Sequence, residues 1–353
     1  MKKIFGLLAV ILAAGALYLA LTPSPIDPLA WDAPPAPAMT GPLEPNDTLM
    51  KATLLAQGQL SGPEDTAVDA QGRVYAALHD GRIVRLTDRG DPQAFADTQG
   101  RPLGMDFDAQ GQLIVADAYK GLLSIDPEGR IKVLSQQAEG VPFRFTDDLD
   151  IARDGRIYFS DASLRFEQPD YLLDLLEARP WGRLLRYDPA TAQTEVLLKD
   201  LYFANGVALS AAQDFVLVNE TYRYRITRYW ISGAKAGQHE VFADNLPGLP
   251  DNLQGDGAGT FWVALPSPRK ADADFLHRHP WLKAQLAKLP RALWPKPQDY
   301  GLVIALDEQG RITRSLHDPS GRHLRMITSA KPVGDFLYLG SLSNDRIGKL
   351  QLR

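Results

Sequence analysis

Four short stretches put an oxygen-bearing side chain at matching points of the chain: "SGPEDTAVD", "RFTDDLDIA", "LYFANGVALS" and "GLPDNLQGD", which supply Glu64, Asp147, Asn205 and Asp251. Carboxylate and amide oxygens are hard donors. Drawn from several parts of a chain, such a set suits calcium, which takes roughly six to eight oxygen ligands in flexible geometry, better than magnesium, which demands a tight octahedron. Zinc and copper are disfavoured. His277 and His279 in "FLHRHPWL" alternate like a metal pair but lack third and fourth partners. His79, before an Asp-Gly pair, reads as a solvated turn residue. Taken singly, each Asp or Asn also has a plainer role, closing a turn on the local backbone.

Donors so far apart in sequence need a scaffold that returns them to one place, and the chain repeats itself from about residue 49. The unit is an Asp-x-x-Gly turn, a β-prone run, then a second turn and strand. It reads "DAQGRVYAALHDGRIVRL" from Asp69, "DAQGQLIVADAYKGLLSID" from Asp108, and "ARDGRIYFSDAS" with "GRLLRYDP" from Ala152. Weaker copies begin at Ser210, Gly255 and Val333. Spacing of roughly 40 to 60 residues is that of four-stranded propeller blades rather than of solenoid repeats. Six copies predict an all-β, six-bladed β-propeller over residues 49–353. The innermost strands of a propeller line a central channel, so loops entering them converge at one mouth.

Composition agrees with one large core. The 353 residues are 45% hydrophobic, the net charge of -5 is spread along the chain without the basic stripe of a nucleic-acid binder, and cysteine is absent. Thiolate metal sites and cysteine nucleophiles are thereby excluded. After Lys2 and Lys3 comes an uncharged run, Ile4 to Leu21, long enough as a helix to cross roughly 30 Å of hydrocarbon. Residues 1–21 read as a membrane anchor, with a cleaved signal segment ending near Ala14-Gly15-Ala16 as the alternative. Either way the lysines keep the N-terminus cytoplasmic and the body is exported to a periplasm. Residues 22–48 are rich in proline and predict an extended, stiff stem.

The stretches "GRPLGMDF", "FANGVALS", "VNETYRYRITRYWI", "NLPGLPDNLQGDGAGTFWVAL" and "LYLGSL" resemble the strictosidine-synthase-like branch of the calcium-dependent six-bladed propellers, the branch of the adipocyte plasma membrane-associated proteins. Gluconolactonases (regucalcin) and paraoxonases belong to the wider superfamily. The resemblance runs from residues 24–28 to the end of the chain. It implies that Glu64, Asn205 and Asp251 are calcium ligands and that Asp147 stands where the family usually has Asn. Three ionised ligands would then leave the loaded site near -1, favouring tight metal retention and a weaker Lewis acid. Asn252 adds an oxygen, and Asp148 reads as a group acting through water or on the ligands.

Two family devices are missing. A histidine-bearing Pro-His-Gly motif is replaced by Pro102-Leu103-Gly104, and the glutamate of strictosidine synthases has no counterpart near Pro332. Amine–aldehyde condensation is therefore disfavoured. The reading that remains is calcium-assisted hydrolysis of a small apolar lactone or aryl ester, with Asp251 or Asp148 as base or nucleophile. The alternative is a binding propeller whose calcium is structural.

Two insertions interrupt the blades. Residues 266–298 place Leu282, Leu286, Leu289 and Leu293 at helical spacing and carry seven Lys and Arg against two Asp. They predict a basic amphipathic helix serving as a lid or lying on a membrane surface. Residues 166–182 predict a second helical flap, and Trp181, Trp281 and Trp294 suggest an apolar pocket or staples for the insertions.

Overall fold

Turn chemistry sets the rhythm of the fold. In the Asp69–Gly72 turn the Asp69 carboxylate accepts the backbone N–H groups of Gln71 (3.0 Å) and Arg73 (2.9 Å), while Gly72 takes a φ of +79° that a side chain would resist. The same arrangement recurs at Asp108, Asp126, Asp256 and Asp307. Each turn feeds an antiparallel strand, and the strands assemble into six four-stranded sheets. The computed structural model of the chain describes Phe5, residues 13–15 and residues 17–352.

The innermost strands, one per blade, are Thr66–Val68, Pro102–Phe107, Thr146–Ile151, Ala204–Leu209, Leu253–Gly255 and Ile327–Val333. Each contacts the next, and the last contacts the first, so the ring is closed. Closure is reinforced by strand pairing between the two ends of the propeller. Thr53–Leu55 pairs with Ile347–Gln351 as the outer strand of blade six, joining the two ends of the propeller in one sheet. Apolar layers fill the gaps between blades: Ala67, Tyr75 and Ala77 meet Met105, Leu113 and Val115, and Leu49 packs among Trp262, Val303, Ile327 and Leu339. Between blades four and five the layer is aromatic, with Phe215, Phe242 and Phe261 in mutual contact.

By internal contacts the chain forms two units. Pro34–Tyr171, Pro180–Arg269 and the chain from Pro297 onward make the propeller; the residues up to Ala33, with Leu172–Arg179 and Lys270–Lys296, make a helical unit. The predicted stem is not free-standing. Its first part packs within the helical unit, where the Leu29 N–H donates to the Glu177 carbonyl (2.9 Å) and the Trp31 N–H to that of His277 (2.8 Å). Its second part straps blade five: the Asn46 amide donates to the Ser315 carbonyl (3.0 Å) and Ser315 Oγ to that of Pro42 (2.8 Å). Buried apolar side chains among the prolines, Ile26, Leu43 and Leu49, explain why this segment adheres.

The single basic amphipathic helix expected in 266–298 is replaced by two short ones, Ala271–His277 and Pro280–Ala287. Pro280 breaks the run by starting the second helix. Lys283, expected on a solvated face, is fully buried and donates to the Leu29 carbonyl (2.6 Å), whereas Trp281 is exposed. Trp294 staples its own segment through its indole N–H to the Leu289 carbonyl (3.0 Å). The flap at 166–182 contains the helix Tyr171–Glu177. Half of the apolar run Ile4–Leu21 lies outside the described residues; Phe5, residues 13–15 and residues 17–21 are helical. Among the described residues no helix is long and apolar enough to cross a membrane.

Candidate metal centre

The donor residues sit where the innermost strands lose their register. Pairing with the second strand slips between Thr146 and Leu149 in blade three and between Ala204 and Val207 in blade four, so Asp147-Asp148 and Asn205-Gly206 lie in bulges. Bulges re-aim side chains that regular pleating would send into the inter-blade layers. Glu64 and Asp251 occupy the equivalent entry points: the Glu64 N–H donates to the Ala77 carbonyl and the Asp251 N–H to that of Ala264, each at 2.9 Å. Gly206 is required for close approach, since a Cβ there would run into the Asp251 carbonyl and the Leu253 amide. That carbonyl is itself held by the Gly206 N–H (3.2 Å) and the Asn219 side-chain amide.

Through this geometry the carboxylate oxygens of Glu64, Asp147 and Asp251 come within 4.8 Å of one another. Glu64 and Asp147 are buried and Asp251 is partly exposed. Burial pushes the Glu64 carboxyl well up, repulsion from Asp251 and Asp147 adds to this, and Arg101 opposes it. Burial also raises Asp147, followed by repulsion from Asp251 and Asp148. Asp251 is pushed up to about 7, chiefly by burial and against a hydrogen bond from Asn205.

The surrounding polar atoms fit a cation. Among the described residues Glu64 Oε2, Asn205 Oδ1 and both side-chain polar atoms of Asn252 have no hydrogen-bond partner, although all three residues are nearly or fully buried. Buried acceptors are ordinarily satisfied, and three carboxylates this close are self-repelling without a counter-charge. Apart from the Asn252 amide nitrogen, all are oxygen donors. A hard divalent cation coordinated by these side chains would answer both the open acceptors and the repulsion.

Two of the residues that follow a mouth position, Asp65 and Asp148, tie neighbouring blades together. Asp65 accepts the Met105 N–H (2.8 Å), tying blade one to blade two. Asp148 accepts the N–H groups of Val207 (2.9 Å) and Leu253 (3.4 Å), tying blade three to blades four and five. Asp148 is thus fully buried as a strut, with one oxygen committed to backbone donors, and stands outside the three-carboxylate cluster. Lys331 balances this acidic interior by donating to the Met105 carbonyl (2.9 Å) and pairing with Asp106 (3.1 Å). Burial works against its charge, but Asp106 and Asp65 outweigh burial and hold the ammonium above its ordinary value.

Sequence reasoning brought Glu64, Asp147, Asn205, Asp251 and Asn252 to one mouth, and missed Asp65, Lys331 and Arg101. A signal for Asp65 was present: an acidic or amide residue follows three of the four mouth positions, in Glu64-Asp65, Asp147-Asp148 and Asp251-Asn252. Lys331 and Arg101 carry no repeat signature, because each occurs in one blade only.

The strictosidine synthase family profile matches residues 147–234, and the strictosidine synthase-like N-terminal profile matches residues 41–86. The adipocyte plasma membrane-associated protein of Mus musculus is 38% identical, over 100% of this chain and 90% of its own length. That of Homo sapiens is 38% identical, over 99% and 89%. The strictosidine synthase-like 7 protein of Arabidopsis thaliana is 37% identical, over 88% and 84%. Among solved structures, a gluconolactonase from Xanthomonas campestris superposes with a TM-score of 0.63 at 18% identity, covering 94% of this chain and 97% of its own. A calcium-binding regucalcin from Agrobacterium tumefaciens does so with a TM-score of 0.58 at 14% identity, covering 84% and 90%. At these identities the structures share the fold.

Proposed function

The chain belongs to the strictosidine synthase-like family that includes the adipocyte plasma membrane-associated proteins, and from that premise we propose that it is a calcium-dependent hydrolase of lactones or aryl esters. One observation carries the reading: three carboxylates within 4.8 Å beside unpartnered amide oxygens at a propeller mouth. Glu64, Asp147, Asn205, Asp251 and Asn252 would hold the ion. Bound there, calcium supplies Lewis-acid polarisation of the scissile carbonyl.

The protein's own residues do the remainder. Asp251, the partly exposed carboxylate, takes a proton from water as the water oxygen bonds to the carbonyl carbon. The ester C–O bond then breaks and the proton passes to the departing oxygen. Asp148 serves as the strut that fixes blades three, four and five around the site, and the base role falls to Asp251. Condensation chemistry of the strictosidine type lacks support, since Lys331-Pro332 occupies the innermost strand of blade six in place of a glutamate.

The relatives named as plasma membrane-associated support attachment of this protein to a membrane through its N-terminal segment. The reading of calcium as a structural pin is favoured by the inter-blade ties of Asp65 and Asp148 next to the ion site. One experiment separates the two. The full chain is assayed on a panel of lactones and aryl esters with calcium, after chelation and after calcium is restored. Turnover lost and regained in step, and lost in Asp251→Asn, supports the hydrolase; a fall in melting temperature on chelation with no turnover of any substrate rejects it in favour of the pin.

A further inference from the structure

Arg101 immediately precedes the innermost strand of blade two and is only 1% exposed. Its backbone is fixed, with the N–H donating to Asp117 (3.1 Å) and the carbonyl accepting the Ala118 N–H (2.9 Å). Its side chain is not: Nε, Nη1 and Nη2 all lack a hydrogen-bond partner among the described residues. The strand it opens packs on the metal centre, where a Cβ at Gly104 would meet the Asp148 carboxylate and the Asp147 carbonyl, and the guanidinium charge acts on Glu64, Asp147 and Asp251 alike. His79 and Tyr119 also feel that charge, and both are exposed.

A buried guanidinium with no acceptor is costly, because its donors have left water without replacement. If Arg101 served only as a counter-ion to the acidic cluster, direct ion pairs would be expected, as the buried Arg183 makes with Asp161 at 2.6 Å. Among the described residues no such pair exists for Arg101. With three ionised carboxylates, a divalent cation and Arg101 the formal charge sums to zero, so the guanidinium also cancels the excess charge that Asp147 brings. Neutrality removes the field that would repel an anionic oxygen from the ion.

We propose that Arg101 is a ligand-binding residue whose planar donors take an anionic oxygen group held jointly with the metal. The ligand class is a small molecule with such a group adjacent to its metal-bound oxygen, either a standing carboxylate or phosphonate or the oxyanion that develops as an ester carbonyl is attacked. Arginine suits this task because its paired donors match two oxygens at once, which a lysine point charge does not. This inference rests on the ion site of the proposed function, but not on hydrolysis.

The test uses the full chain, loaded with calcium, and phenylphosphonate as the probe, followed by titration calorimetry. In Arg101→Met the phosphonate dissociation constant is expected to rise at least about 10-fold, the loss of a charge-assisted pair of hydrogen bonds, while calcium affinity stays within about 3-fold. Arg101→Lys is expected to lie between the two proteins, and it carries the test if the methionine variant does not fold. Equal phosphonate affinity in wild type and variant overturns the proposal. So does calcium affinity falling in parallel, or no phosphonate binding by the wild type.

Kinetics on a neutral lactone and a carboxylate-bearing one then identify the source of the oxygen. A standing carboxylate raises KM for the acid-bearing substrate alone; a developing oxyanion lowers kcat for both. Phosphonate binding that depends on Arg101 in a protein that turns over neither substrate leaves the anion site standing and removes the hydrolase.

Discussion

At the level of residues, the mouth concentrates carboxylates whose charges oppose each other until a cation arrives. Glu64→Gln removes one of them. In chelator at pH 8 this variant is expected to melt on the order of a few degrees above the wild type, because a repelled and desolvated charge is gone. Calcium should stabilise it less than the wild type, which differential scanning calorimetry with and without the ion would show. A lower melting point in chelator would mean that Glu64 is satisfied by something other than a metal. Lys331 is the opposite case, a buried cation with two protein acceptors. Lys331→Met leaves Asp106 and Asp65 without their counter-charge and is expected to cost about 3–5 kcal/mol in urea unfolding. A cost under about 1 kcal/mol would show that the channel carboxylates find another partner.

Among the elements, the bulged entries to the innermost strands matter more than the strands themselves, since they turn Asp147 and Asn205 toward the mouth. Gly206→Ala pushes a methyl group against the Asp251 carbonyl. The expected result is a destabilisation of about 1–3 kcal/mol, from overpacking, together with weaker calcium binding by calorimetric titration. Destabilisation with unchanged calcium affinity would separate that glycine from the site. The closing sheet of blade six gives a contrasting prediction. Leu49, fully buried between blades five and six just before the closing strand, should lose about 2–5 kcal/mol on conversion to alanine, with calcium affinity intact in the folded fraction.

For the molecule as a whole, the same cluster dictates how stability responds to pH. A carboxyl whose pKa is higher folded than unfolded favours the folded state while protonated. That contribution is present below the unfolded value of about 4 and fades as pH rises through the folded one, about 7 for Asp251. Raised values at Glu64 and Asp147 act in the same direction. The metal-free protein therefore loses this contribution between pH 5 and pH 8, and the stabilisation conferred by calcium should grow over the same interval. Melting curves at fixed calcium across that range would check it. A calcium shift that is constant or shrinks with pH would remove the cluster as the binding site.

The sequence by itself determined the six blades and the convergence of Glu64, Asp147, Asn205 and Asp251, because both depend on local chemistry repeated along the chain. An Asp-x-x-Gly turn and a donor upstream of it mean the same thing wherever they recur. Asn252 followed from its neighbour. Only the tertiary structure decided the rest: that Asp148 is a strut, that Lys331 neutralises the channel, that Arg101 stands unpartnered beside the cluster, and that the proline-rich segment adheres to its neighbours. Two short helices in place of one likewise came from packing, which buried Lys283 against the Leu29 carbonyl. These features have no period. Each depends on which unlike residues meet across the ring, and a one-dimensional pattern carries repeats but not the unique contacts between them.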